Sequence, residues 1–226
     1  MSAAVREIRL PYEPQPRQQA LHETEARLIL YGGAAGGGKS TAGRWDLIRW
    51  CLAVPGLQAY LFRRTLPALE QNHIVQIRND IPRELGQWVP SKNRFQFHNG
   101  SVIRMCYCDR ESDVEQYQGA EIHVLAMDEA GQFTAQQITY LLTRCRLGDF
   151  SKKVPAAYRP YLPRVVLTAN PGGVGHSFLK RRFIEQSIPN VVFEDTDMGW
   201  PAIFLPARMA DNVYLDAAYE KQFNGI

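Results

Sequence analysis

The sequence predicts one α/β domain built on a central, mainly parallel β-sheet, and three observations carry that expectation. Short apolar runs alternate along the chain with turns and amphipathic stretches, the rhythm of helices packed on a parallel sheet. A glycine-rich loop lies directly between one such run and a helical pattern. The length, 226 residues without a fixed-period repeat or low-complexity block, suits a single large domain, here taken as residues 1–226.

The elements follow in order. Arg27 to Tyr31 is a short apolar run that reads as a strand, and Thr41 to Ala53 continues with helical spacing at Trp45, Ile48 and Leu52. Gln58 to Phe62 reads as a second strand, and Pro67 to Leu85 as a helix or helix pair interrupted by Pro82. Arg94 to Phe97 and Ser101 to Cys108 flank Asn99-Gly100, a pair favoured where both turn residues need positive φ, and so predict a β-hairpin insertion. Ile122 to Met127, Val165 to Thr168 and Ala202 to Leu205 are three further strands, and the proline-rich Pro155 to Pro163 is a surface loop.

The chemistry concentrates in Gly33-Ala34-Ala35-Gly36-Gly37-Gly38-Lys39-Ser40, followed by Thr41. This satisfies G-x-x-x-x-G-K-[ST] between a strand and a helix. Glycines let successive backbone N–H groups converge on phosphate oxygens, and the start of the helix adds its positive dipole end. Lys39 would neutralise the β- and γ-phosphates of ATP, and the Ser40 hydroxyl would bind Mg²⁺. A flexible glycine loop is the competing reading, which the flanking strand and helix weaken. His123 to Met127 is an apolar run that delivers two acids, Asp128 and Glu129, at its carboxyl end. On a parallel strand they fall beside the phosphate loop, with Asp128 as the metal candidate and Glu129 as the general base. Together these motifs predict an ASCE-type P-loop NTPase.

With these residues in place, the sequence resembles the N-terminal ATPase domain of tailed-bacteriophage terminase large subunits, the DNA-packaging motors. Pro16-Arg17-Gln18 resembles their adenine-reading element, which implies that Gln18 contacts the base. Tyr117 to Glu121 and Leu141 to Arg146 are similar to segments of one terminase branch. Leu167-Thr168-Ala169-Asn170-Pro171, followed by His176 to Lys180, resembles the coupling motif that links hydrolysis to movement, which implies coupling roles for Thr168, Ala169 and Asn170. Independently, a strand ending in Thr-Ala-Asn places a hydroxyl and an amide where they can meet a γ-phosphate or its water, although Asn-Pro-Gly-Gly is also an ordinary turn sequence.

Two features depart from the family pattern. Some terminases carry an arginine finger just before the glycine upstream of the acidic pair, and that place is Gln118 here. The finger is expected from Arg146, with Arg144 next and Arg63 and Arg64 as competitors. The resembling large terminases also continue into an RNase H-like nuclease domain, which is not expected within these 226 residues.

Composition narrows the alternatives. A hydrophobic share of 45% with 22% charged residues excludes a disordered chain, and a net charge of +3 means that any polyanion site is local. No stretch approaches the ~20 apolar residues of a membrane helix, and MSAAVREIRLPYEP lacks the apolar core of a signal peptide. A soluble, intracellular protein is expected. Cys51, Cys106, Cys108 and Cys145 lack zinc or redox spacing and read as reduced thiols, and the five histidines form no ligand set. Lys180-Arg181-Arg182 is either a DNA-backbone contact or a solvated helix face.

The function so implied is Mg²⁺-dependent ATP hydrolysis that drives double-stranded viral DNA into a procapsid. The resemblance implies a portal protein, a small terminase subunit and a homo-oligomeric ring as partners, with a monomer in isolation and no membrane. It places the protein in the host cytoplasm and, transiently, at the portal vertex. Another nucleic-acid-dependent P-loop ATPase of helicase type, or a nucleotide-binding switch with negligible turnover, are the alternative functions.

Overall fold

The computed structural model describes residues 7–34, 36–208 and 211. Nine strands form one sheet: β1 (Leu28–Gly33), β2 (Gln58–Arg63), β3 (Gly86–Val89), β4 (Arg94–Phe97), β5 (Val102–Tyr107), β6 (Val124–Met127), β7 (Arg164–Ala169), β8 (Phe193–Asp195) and β9 (Trp200–Ala207). Their order is β3-β4-β5-β2-β6-β7-β1-β9-β8. The six strands from β5 to β9 pair in parallel, while β3 and β4 at one edge and β8 at the other are antiparallel. The parallel sheet is the one the sequence predicts, and β7 lies between the strand that enters the glycine loop and the strand that delivers the acids.

Alternation along the strands sorts the core. In β2, Ala59 and Leu61 face the helix α2 (Lys39–Ala53) together with Trp45, Leu47 and Ile48. Tyr60 and Phe62 face the other way, into a cluster with Leu125, Met127 and the helix α5 (Ala135–Leu142). The helix α1 (Pro16–Glu23) lies on the α2 side, where Leu21 packs with Ile29, Tyr31 and Val166. Under α2 runs a buried ion network. Asp46 accepts from Arg164 Nε at 2.9 Å, and its other oxygen lies 2.9 Å from His22 Nδ1. Arg164 also donates to the backbone oxygens of Leu21, Thr24 and Ala26, tying the start of β7 to α1 and α2.

Four local expectations are corrected. The predicted 67–85 helix is shorter and irregular: α3 (Leu66–Leu69) passes through a π-helical turn, Glu70–Ile74, into α4 (Val75–Asp80). The hairpin forms as expected, but only Gly100 in its turn has positive φ (87°), and Asn99 instead accepts from Ser101 N through its side chain. The predicted loop at 155–163 contains a 3₁₀ segment, Ala156–Tyr161, and remains at the surface. In the Lys180-Arg181-Arg182 run, Arg182 is buried and pairs with both oxygens of Asp195, so it is no phosphate contact. All four cysteines are free and buried, with burial pushing the Cys106 and Cys108 thiols up to about 12. Among the described residues no helix is long and apolar enough to cross a membrane.

Candidate functional site

Because β1, β2, β6 and β7 run in parallel, their carboxyl ends meet at one edge of the sheet, and each delivers polar groups there. After β1 the chain turns through the glycine loop into α2. A Cβ on Gly33 would lie 2.0 Å from Ala207 O, and one on Gly38 would lie 2.6 Å from Gln18 Nε2, with φ of +66° at Gly38. At Gly33 the collision is with backbone, so only glycine fits, and at Gly38 the left-handed φ favours glycine. Gly38 precedes α2 with no side-chain cap, so the N–H groups of the first helical turn are left for another acceptor. Gly33, Ala34, Gly36, Gly37, Gly38, Ser40 and Thr41 line this loop and turn, and Ala35 lies outside the described residues. Lys39 Nζ folds back onto the Gly33 and Ala34 carbonyls. Burial lowers its pKa, while Asp128 and Glu129 act in the opposite sense.

Asp128 is the hub. Its Oδ1 accepts from Ser40 Oγ at 2.9 Å and from Thr168 Oγ1 at 2.5 Å. Its Oδ2 lies 2.9 Å from His73 Nε2 and 3.5 Å from Arg63 Nε. Burial works against the charge on Asp128, but the His73 and Thr168 hydrogen bonds and the Arg63 charge prevail and hold its pKa below the usual carboxylate range. Thr168 bridges the two acids, since the same hydroxyl accepts from the Glu129 backbone N–H at 3.3 Å.

Glu129 turns the chain out of β6 with φ of 54°, a left-handed conformation that costs a non-glycine residue about 1–2 kcal/mol. Its carboxylate is 31% exposed. Arg63 Nη2 donates to Oε1 at 2.6 Å, and Gln132 Nε2 donates to Oε2. Beside it opens a cavity of about 260 Å³ lined by Glu129, Gly131, Gln132, Asn170, Gly172 and Gly173. The two loops meet backbone to backbone: Gly175 N donates to Gly131 O at 2.9 Å, and a Cβ on Gly173 would lie 2.3 Å from Gly131 O.

The structure thus brings Lys39, Ser40, Asp128, Glu129, Thr168 and Asn170 together at one edge, with Ala169 buried behind them. Gln18 is buried against the loop, with Nε2 donating to Gly38 O at 3.1 Å and Oε1 accepting from Gln15 N at 3.0 Å. The arginines divide. Cys145 bridges to Ile122, and Arg146 N donates to Ile122 O, so Arg144 and Arg146 sit at the opposite end of β6. Six residues of extended chain separate that point from Asp128, roughly 20 Å. Arg146 is exposed, with Nη2 3.5 Å from Gly119 O, and Arg144 stacks over Tyr140. Neither reaches this chain's own acids. Arg64 binds Gln137 Oε1 at 2.9 Å, whereas Arg63 is inside the site. Sequence reasoning missed that placement of Arg63 and missed His73 altogether; the alternation of β2, which buries Arg63 and turns Arg64 to α5, was the signal for the former.

The comparisons with known proteins agree with this architecture. The family model described as terminase large subunit, T4likevirus-type, N-terminal, matches residues 30–160. No curated protein matches the chain. Among solved structures, the large terminase from a thermophilic bacteriophage superposes with a TM-score of 0.68 at 14% identity, covering 94% of this chain and 50% of that one. The same terminase in complex with ATP-γ-S gives 0.66 at 15% identity, covering 94% and 49%. The large terminase ATPase domain of Thermus phage P74-26 gives 0.58 at 15% identity, covering 94% and 93%. At these identities the likeness is one of fold, and the chain spans about half the length of the first of these proteins.

Proposed function

The chain belongs to the terminase large subunit family, in its T4likevirus-type N-terminal part, and from that membership we propose that it binds ATP with Mg²⁺ and hydrolyses it to move double-stranded DNA into a viral procapsid. The observation that carries the reading is the convergence of Ser40 and Thr168 on one oxygen of Asp128, with Lys39 and Glu129 alongside. The P74-26 relative is described as an ATPase domain and the thermophilic-bacteriophage large terminase as an ATP-γ-S complex, which supports the nucleotide assignment.

The residues fit both groups. Gly33 and Gly38 let the loop pack against Ala207 and Gln18, where a Cβ would collide, and leave the backbone N–H groups at the start of α2 without a side-chain cap. A hydroxyl and a carboxylate held 2.9 Å apart are the hard oxygen donors that Mg²⁺ takes, one or two from the protein and the rest from water and phosphate. Bound Mg²⁺ supplies positive charge to the β- and γ-phosphate oxygens. Lys39 Nζ exchanges its loop carbonyls for phosphate oxygens, and the N–H groups at the start of α2 orient them. Glu129 accepts the proton of the attacking water on a carboxylate oxygen, and Thr168 fixes Glu129 relative to Asp128 through its one hydroxyl. Gln18, Ala169 and Asn170 link this edge to the base side and to the loop beyond β7.

The reading extends to a ring of copies on a portal, with a small subunit and DNA as partners, acting in the host cytoplasm. It also treats the described residues as one ATPase unit; among them no group of three or more His, Cys, Asp or Glu side chains is placed to hold a metal. On this reading, purified chain should leave plasmid DNA uncut in Mn²⁺, and metal-dependent cleavage abolished by a point mutation in this chain would overturn it. The direct test is phosphate release. Glu129→Gln should bind nucleotide at least as well as the unmutated chain and lose turnover by at least about 10²-fold, whereas Lys39→Ala should lose both. Turnover by Glu129→Gln at the unmutated rate would overturn the assignment of the base.

A further inference from the structure

Arg63 is 7% exposed, and its charge has no place in the reaction as derived so far. Its Nη2 holds Glu129 Oε1 at 2.6 Å, its Nε lies in ion-pair range of Asp128 Oδ2 at 3.5 Å without a hydrogen bond, and its Nη1 is buried without a hydrogen-bond partner. A desolvated guanidinium with donors left unbonded is costly unless they have an acceptor in function. It stands at the carboxyl end of β2, beside the β6 end that carries both acids, so an acceptor next to Asp128 is within its field. The acceptor that the site is built to receive there is the terminal phosphoryl group.

We infer that Arg63 is a contact to the terminal phosphate made within the same chain, and that taking up this contact releases Glu129. The inference rests on the nucleotide reading above. Each Glu129 oxygen already accepts one hydrogen bond, from Arg63 and from Gln132, and the Arg63 charge in particular opposes the transfer of a water's proton to Oε1. A γ-phosphate carries more charge than one carboxylate and offers a planar fork two acceptors, so Arg63 favours it. The exchange leaves Glu129 Oε1 open when the substrate, and not the diphosphate product, is in place. The same arginine then both senses the phosphate and frees the base, while the finger expected from a neighbouring chain is a separate group.

Equilibrium binding of ADP and of a non-hydrolysable ATP analogue, both with Mg²⁺, tests this on the full chain. Arg63→Gln should keep its ADP affinity within about twofold and lose the preference for the triphosphate by about tenfold to a hundredfold, the range of a charge-assisted hydrogen bond. Arg63→Lys, which keeps the charge without the fork, should fall between. Glu129→Gln should bind the triphosphate more tightly than the unmutated chain, because it no longer competes for Arg63, and the double variant should lose that gain. A preference retained in Arg63→Gln, or a parallel loss of ADP and triphosphate binding in both Arg63 variants, would overturn the inference. So would recovered turnover in co-assembled mixtures of Arg63→Gln and Glu129→Gln, which marks an arginine acting across chains. Failure of the unmutated chain to bind ADP would instead sink the nucleotide reading itself.

Discussion

His73 and Asp128, 55 residues apart and both buried, meet side chain to side chain at 2.9 Å. The histidine reaches the acid from the π-helical turn between α3 and α4, where one extra residue per turn shifts the register of the following side chains. Removing it leaves one Asp128 oxygen with Arg63 alone. His73→Ala should therefore raise the Mg²⁺ concentration needed for half-maximal turnover by about 10–100-fold, the usual weight of an outer partner of a metal ligand. An unchanged Mg²⁺ titration would assign His73 to packing.

The Thr168 hydroxyl serves Asp128 and the Glu129 backbone at once. Thr168→Ser retains it and should stay within about threefold of the unmutated turnover. Thr168→Val keeps the shape and loses the hydroxyl, and a drop of about tenfold or more in kcat with little change in KM is expected. Equal activity in the two variants would remove Thr168 from the site.

Arg146 is exposed and roughly 20 Å along β6 from its own acids, so an arginine finger at this position could act only on a neighbouring chain. Turnover per chain should climb with protein concentration, because an arginine finger supplies about 10³–10⁵ in rate. Arg146→Ala has an intact base and Glu129→Gln an intact finger. The two inactive variants, mixed under ring-forming conditions, should regain measurable phosphate release, and silence in mixtures shown to co-assemble would pass the role to Arg144.

Asp46 is the stability counterpart. Burial opposes its charge, yet Arg164 and His22 hold its pKa below the usual value. A carboxylate depressed in the folded state stabilises fully above its unfolded pKa of about 3.9 and loses that contribution as pH falls through the folded value. Asp46→Ala leaves the Arg164 guanidinium buried without its anion and should cost about 3–5 kcal/mol at pH 7. Thermal melts should show the gap between variant and unmutated chain narrowing below about pH 4. A gap that widens in acid would contradict this balance.

The site's outline was legible where one residue type admits one chemistry. The glycines before Lys39, the acids ending an apolar run and the Asn99-Gly100 turn all fix local backbone, and the parallel sheet then brings the first two together. What stayed hidden depends on register in three dimensions. Periodicity run through Pro67 to Leu85 could not show a π turn, so His73 looked like one histidine among five. Arg63 and Arg64 are neighbours of identical type, and only the β2 pleat separates a site residue from a helix contact. The edge strands β3 and β8, of four and three residues, are too short for alternation to declare itself.

The glycine contact between residues 131 and 173 has a mechanical meaning. With no side chain between the loop after Glu129 and the loop after Asn170, there is no soft layer to absorb a displacement, and the Gly175 N–H to Gly131 O bond fastens the joint. A displacement of Glu129 would therefore bear directly on the backbone that leads into the helical turn His176–Leu179. A single methyl group at position 173 would be a wedge driven into that joint.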